Sequence, residues 1–256
     1  MNNLSISKLY AKYWAIAKML RDLGVLSFAA DELSTRNLAT FQTAQFEATF
    51  QKCIDVDSRL LLGSFENPLD KAFRWRLHIL LQTAKASLSK DSVFLDLGCG
   101  SGMIAAALLY EYSSIMYQMN ISYYMFDSFV GAHPNDRSTH SYSRDDLAQE
   151  TALDLSYKYA NIVKIHVGYL PDTLSHLSLE DIKRCRFISL DLNSAAPEIK
   201  TLELILQYLP SGCIIILDDF CNPGSIEQNT LHSAFCQNKS LPLLHLPTGQ
   251  GMIIIP

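Results

Sequence analysis

The sequence predicts an α/β fold: a seven-stranded, mostly parallel sheet covered by helices, ending in an antiparallel hairpin and preceded by a helical extension. Three observations predict it. From Ser92 onward, short apolar runs alternate with helical patterns, the signature of strand–helix–strand units. Runs such as Cys213-Ile214-Ile215-Ile216-Leu217 are apolar at every position, so they belong to strands buried on both faces, as in parallel sheets. The last two runs are separated only by Pro247-Thr248-Gly249-Gln250, a link that permits a hairpin but no parallel crossover.

Taken in order, residues 1–90 read as a helical extension and 91–256 as the α/β domain. Leu4 to Leu23 carries an apolar stripe at helical spacing (Leu9, Tyr13, Trp14, Ile16, Leu20) that stops at Gly24. A second helical pattern runs from Asp31 to Arg59, with Phe41, Phe46, Phe50 and Ile54. A break at Gly63 to Pro68 precedes a third, Leu69 to Leu88. Such stripes are core between helices, with a lid or a dimer face as their functional use. Strands follow at 92–97, 121–127, 161–167, 186–191, 212–218, 241–246 and 251–255. The main helices between them fall at 102–113, 145–160, 197–209 and 225–237.

The chain has 256 residues, 48% of them apolar, and a formal net charge of −5. That supports a sizeable core and, without Lys/Arg runs, argues against a nucleic-acid partner. Neither a basic-then-apolar leader nor an apolar run near membrane-spanning length is present, so a cytoplasmic protein without a membrane partner is expected. The six cysteines form no Cys-x-x-Cys pair. Disulfides and structural zinc are not expected, and Cys185, Cys213 and Cys236 read as small core residues.

Chemistry concentrates where the strands end. Phe94-Leu95-Asp96-Leu97-Gly98-Cys99-Gly100-Ser101-Gly102 is a buried strand, a turn with three glycines and the start of a helix. A dinucleotide fingerprint wants Gly-x-Gly-x-x-Gly, but here the glycines stand at 98, 100 and 102 and position 103 is Met103. Glycine lets a cofactor lie against the backbone. The spacing resembles motif I of the class I S-adenosylmethionine-dependent methyltransferases, which makes Asp96, Gly98, Gly100, Ser101 and Gly102 candidate cofactor contacts. The second strand ends in Asp127-Ser128, where a carboxylate can accept both hydroxyls of a ribose; otherwise Asp127 is a turn residue. Gly168-Tyr169 stands where the adenine is expected, ahead of Pro171-Asp172, which opens a helix. The polar loop Val130 to Asp146 has the length of a lid and holds His133. Strands four and five end in Asp191-Leu192-Asn193 and Asp218-Asp219. Three carboxylates near one point repel unless something cationic sits between them, and oxygen-only ligands suit Mg²⁺. The alternative is that Asp218 or Asp219 caps a turn.

Several segments together resemble the macrocin O-methyltransferase family of antibiotic biosynthesis. They are Phe126-Asp127-Ser128-Phe129-Val130-Gly131, Gly168-Tyr169 with Asp172-Thr173-Leu174, Leu190-Asp191-Leu192-Asn193, Asp218-Asp219-Phe220 and Leu246-Pro247-Thr248-Gly249-Gln250-Gly251. The resemblance implies a Rossmann-like class I fold over about Ser92 to Pro256. It also implies Mg²⁺-dependent transfer of a methyl group from S-adenosylmethionine to an oxygen of a small-molecule or peptide natural product, a sugar hydroxyl or a carboxylate. It maps the metal ligands to Asp191, Asp218 and Asp219. This chain has Asn193 where the family has an acid acting as base, and Ala195 where it commonly has Tyr. Asp191, Asn193 and His133 are therefore the candidate catalytic residues. The second reading is a non-catalytic S-adenosylmethionine-binding or scaffold subunit, and a homodimer through the N-terminal helices is a further expectation.

Overall fold

The structure is a computed structural model that describes residues 43–56, 71–131, 146–221 and 226–256, together with the backbone of residues 27–29 and 32–34. The short strands β1 (Ser27–Ala29) and β2 (Glu32–Ser34) pair antiparallel. Helices α1 (Ala44–Asp55) and α2 (Lys71–Ala86) follow. The rest of the chain runs β3 (Val93–Leu97), α3 (Met103–Gln118), β4 (Ser122–Asp127), α4 (Asp146–Lys158), β5 (Val163–Val167), α5 (Leu179–Lys183), β6 (Cys185–Leu190), α6 (Ala195–Ile205), β7 (Ile214–Leu217), α7 (Ile226–Asn238), β8 (Leu243–His245) and β9 (Gly251–Ile254). A 3-10 turn at Asp172–His176 precedes α5.

The main sheet has seven strands in the order β5-β4-β3-β6-β7-β9-β8. Its first five are parallel, and β9 pairs antiparallel with both β7 and β8, as the short link between β8 and β9 requires. All seven strands fall where the apolar runs place them. The second helical pattern needs correction. Glu32–Ser34 is a strand, and helix begins only at Ala44, where the Thr43 side chain accepts a hydrogen bond from the Phe46 N–H at 3.2 Å. A serine or threonine cap sets such a start more firmly than an apolar spacing that slides across a turn. The expected helix over 4–23, with Trp14, lies outside the described residues.

Alternate side chains of the sheet feed two cores. Phe94, Tyr123, Met125, Phe187 and Ile216 face α1, α2, α3 and α4, while Leu95, Phe126, Ile188, Leu190 and Ile215 face α5, α6 and α7. The period-two alternation of a strand produces both sets from one apolar run. Helices α1 and α2 share the first core: Phe46, Phe50, Cys53, Leu77, Leu80, Leu81 and Ala84 are buried in it. All six cysteines are free, and Cys185, Cys213 and Cys236 are buried as expected. Among the described residues, no helix is long and apolar enough to cross a membrane.

Phe94 and Phe187 are both fully buried, with ring centroids 5.3 Å apart. Phe94→Ala leaves a cavity at the sheet centre and is expected to cost about 3–5 kcal/mol, read by urea denaturation.

Candidate active site

The parallel register brings the carboxyl ends of β3, β4, β6 and β7 to one edge, the place where open α/β sheets bind ligands. The glycine turn is stitched to its neighbours. Gly98 and Cys99 donate their N–H groups to Phe126 O at 2.8 and 3.0 Å, and Asp191 N–H donates to Leu97 O at 2.9 Å. Asp218 N–H donates to Leu190 O at 3.0 Å, which continues the line of contacts to β7.

The three glycines do different work. A Cβ at Gly98 would lie 1.9 Å from Asp191 O, so this position is glycine because β6 passes against it. A Cβ at Gly102 would meet Leu155 Cδ1 of α4 at 2.7 Å. Gly100, at φ +51°, meets nothing within 4 Å, so its side of the turn is open to a ligand. The expectation that all three keep space for a cofactor is thus narrowed to Gly100. Ser101 is buried in the same turn.

Asp127 stands across from the turn. Its Oδ2 accepts from Gly100 N–H and its Oδ1 from Phe129 N–H, both at 2.8 Å. A carboxylate is an acceptor through both of its oxygens. Ser128 Oγ donates to Gly131 O at 3.0 Å and so closes the turn after β4. Gly168 N–H donates to Asp127 O at 2.8 Å, which sets the end of β5, with Tyr169 next, beside the same strand end. His133 lies outside the described residues.

Asp96 lies behind the turn and is buried. It accepts a hydrogen bond from Tyr123 Oη at 2.9 Å. Burial pushes its pKa up to about 7; the tyrosine hydrogen bond opposes this, and the charges of Asp127 and Asp218 add to it.

Asp191, Asp218 and Asp219 do converge, but with a partner the sequence reading missed. Arg76 of α2 reaches into the group. Its Nε donates to Asp218 Oδ1 at 3.2 Å, and its Nη2 to Asp218 O at 2.9 Å, to Asp219 Oδ1 at 3.1 Å and to Asp218 Oδ2. Burial works against the guanidinium's charge, yet Asp218, Asp219 and Asp191 together raise its pKa above the usual value. Gln250, fully buried in the β8–β9 hairpin, donates its Nε2 to Asp218 Oδ1 at 2.9 Å. Burial raises the Asp191 pKa well above the usual carboxylate range; the charges of Asp218 and Asp219 reinforce this and Arg76 opposes it. Asp191 Oδ1 is buried without a hydrogen-bond partner.

The link after β6 is held by a second network absent from the sequence reading. Glu198, buried near the start of α6, accepts from Leu192 N–H at 2.9 Å and from Gln228 Nε2 at 3.1 Å, and its Oε2 lies 2.7 Å from His232 Nε2. Asn193 sits between them at φ +57°, a left-handed conformation that asparagine adopts more readily than most residues. An i,i+3 or i,i+4 pattern gives no sign of Glu198 and His232, because they meet across two helices.

Residues 95–220 match the family described as a methyltransferase domain. No curated protein matches the sequence. Among solved structures, that of CalS11, a calicheamicin methyltransferase, is 15% identical. It covers 84% of this chain and 93% of its own, with a TM-score of 0.59. The apo structure of CalS11, described as a TDP-rhamnose 3'-O-methyltransferase of calicheamicin biosynthesis, is 14% identical. It covers 84% and 95%, with a TM-score of 0.55. These are likenesses of fold, and they agree with the class I topology found here. Residues 95–220 thus carry a methyltransferase domain.

An unfolded aspartate loses its proton near pH 4, whereas Asp96 in the folded chain keeps it to about 7. The native state binds more protons in that window, so this group's contribution to stability falls as pH rises through it. Asp96→Asn removes the effect. The stability of the variant relative to the natural chain is expected to rise by about 3 kcal/mol between pH 5 and pH 8, measured by urea denaturation at both values.

Proposed function

We propose that this chain transfers a methyl group from S-adenosylmethionine to an oxygen of a small-molecule or peptide natural product, a sugar hydroxyl or a carboxylate, in a secondary-metabolite pathway. The observation that carries the reading is the open side of Gly100 with the Asp127 carboxylate on its N–H. A backbone cradle beside a two-oxygen acceptor suits a ligand that has a ribose diol and a polar amino-acid end. When bound, the cofactor supplies a methyl already activated on a sulfonium. The protein's task is then to align donor and acceptor.

In this reading Asp127, with Ser128 closing the turn behind it, holds the ribose. Gly98, Gly100, Ser101 and Gly102 shape the turn under the methionine end, with Asp96 beneath. Gly168 and Tyr169 flank the adenine. Asp191 Oδ1 is the oxygen that takes up the acceptor's proton, Asn193 offers an amide to orient the acceptor, and His133 of the loop after β4 is a further proton carrier. The sugar acceptor draws support from the fold likeness to CalS11, a TDP-rhamnose 3'-O-methyltransferase. Of the extension over 1–90, helix α2 places Arg76 among the acids, which supports its reading as a lid to the 91–256 domain over its reading as a dimer face.

Mg²⁺ meets a specific obstacle. Asp191, Asp218 and Asp219 are oxygen donors of the right kind for it. However, both carboxylate oxygens of Asp218 already accept from Arg76, and one also accepts from Gln250. Among the described residues, no three His, Cys, Asp or Glu are grouped to hold a metal ion. As built, the cluster does not fit Mg²⁺. The cation the sequence reading expected between the acids is met by a guanidinium.

Titration calorimetry with S-adenosylmethionine tests the reading. Asp127→Ala is expected to lower affinity by at least about a hundredfold, and Asp127→Asn, which keeps one acceptor oxygen, by about tenfold. Unchanged affinity in both variants would remove Asp127 from the ribose role. Incorporation of tritiated methyl into TDP-rhamnose is the first acceptor assay.

A further inference from the structure

We propose that Arg76 is the resident cation of the acid cluster at the ends of β6 and β7, so that methyl transfer by this chain needs no divalent metal. The inference rests on the methyltransferase reading above and specifies its acceptor site.

The guanidinium is fixed at both ends. Its head makes two bonds to the Asp218 carboxylate, one to the Asp218 carbonyl and one to Asp219. Charge-assisted bonds to a planar fork are among the stronger polar contacts a protein makes. Its root is on α2, where the next residue, Leu77, is fully buried and Leu80 and Leu81 are nearly so. The helix therefore cannot withdraw without opening the first core. A metal on Asp218 would have to displace these bonds and strand a guanidinium whose side chain is only 22% exposed. Removing one partner from a buried ion pair is costly because it leaves charge uncompensated.

The site also gains from the exchange. Three converging acids need positive charge to coexist, and Arg76 supplies it from within the chain. The bonds of Arg76 among the described residues come from Nε and Nη2, and in this proposal the two N–H groups of Nη1 are the donors offered to an acceptor oxygen. A guanidinium orients that oxygen by donating to it and, being permanently charged, takes no proton from it. Proton uptake thus stays with a carboxylate such as Asp191. Gln250 adds a bond from the hairpin to Asp218 Oδ1, the same oxygen that accepts from Arg76 Nε.

The test uses Mn²⁺ as the metal probe, followed by the electron paramagnetic resonance signal of the free ion. The whole chain is expected to leave that signal unchanged. Arg76→Gln, which frees the acids while keeping a polar side chain, is expected to take up about one equivalent of Mn²⁺ per chain. S-adenosylmethionine affinity of the whole chain is expected to stay within about twofold in excess EDTA. Transfer to a TDP-rhamnose probe is expected to survive EDTA and to fall by at least about tenfold in Arg76→Gln. Uptake of Mn²⁺ by the natural chain, loss of transfer in EDTA, or a folded Arg76→Gln that takes up no Mn²⁺ would each overturn the proposal. Where circular dichroism shows Arg76→Gln unfolded, the Mn²⁺ titration of the natural chain decides alone. Failure to bind S-adenosylmethionine with or without EDTA would instead strike the methyltransferase reading itself.

Discussion

The approach of β6 to the glycine turn is the constraint on which the site depends. Asp191 O occupies the space a Cβ at Gly98 would need, and Asp191 N–H is bonded to Leu97 O. One missing methyl group therefore lets two strand ends meet at backbone distance. From that contact the line continues on both sides, to Asp127 through Phe126 and to Asp218 through Leu190. A side chain at 98 would push β6 away, separating the cofactor turn from the acids. The cofactor end and the acceptor end of the site are thus linked by main chain alone.

Electrostatics then decides what the acids can do. Asp96, Asp127, Asp191, Asp218 and Asp219 all lie along one edge, and mutual repulsion with burial would raise their pKa values together. Asp96 and Asp191 do show this. Asp127 is satisfied by two backbone N–H groups. Asp218 and Asp219 share Arg76. Like residues along one edge are thus held in different ways. The arginine comes from α2, which packs with α1 into the first core of the sheet.

Much of this was legible in the sequence. The apolar runs located all seven strands and the short link before β9 fixed their one reversal, because strand burial and loop length are local properties. The glycine spacing and the acid after β4 pointed for the same reason to a turn and a carboxylate that the structure places side by side. Arg76 was not legible. Phe73-Arg74-Trp75-Arg76 places two arginines two positions apart on a helix, and they take different partners: Arg74 pairs with Glu47 of α1 and lies over the Phe50 ring, while Arg76 reaches the acids. Which of two arginines two positions apart turns inward depends on how α2 sits on the sheet, a long-range fact that no window contains. The need for a cation was readable from three acids; its identity was not. The strand at Glu32–Ser34 was missed for a related reason, since a three-residue pairing leaves almost no pattern.

Asn193 bears on whether the chain is a catalyst or only a binding subunit. Read alone, an amide in place of an acid suggests a lost base. In the structure the position has a backbone duty as well: the chain turns there in a left-handed conformation, between Leu192, tied to Glu198, and the start of α6. Glu198 in turn is buried with Gln228 and His232, a polar network kept in an otherwise apolar layer at a desolvation cost. Such a network is retained where the position of the adjoining loop matters, and that loop begins at Asp191. Asn193 therefore reports on loop geometry first, while the oxygen left without a partner is on Asp191. A buried carboxylate stands two residues earlier, and the amide at 193 does not by itself make the site inert.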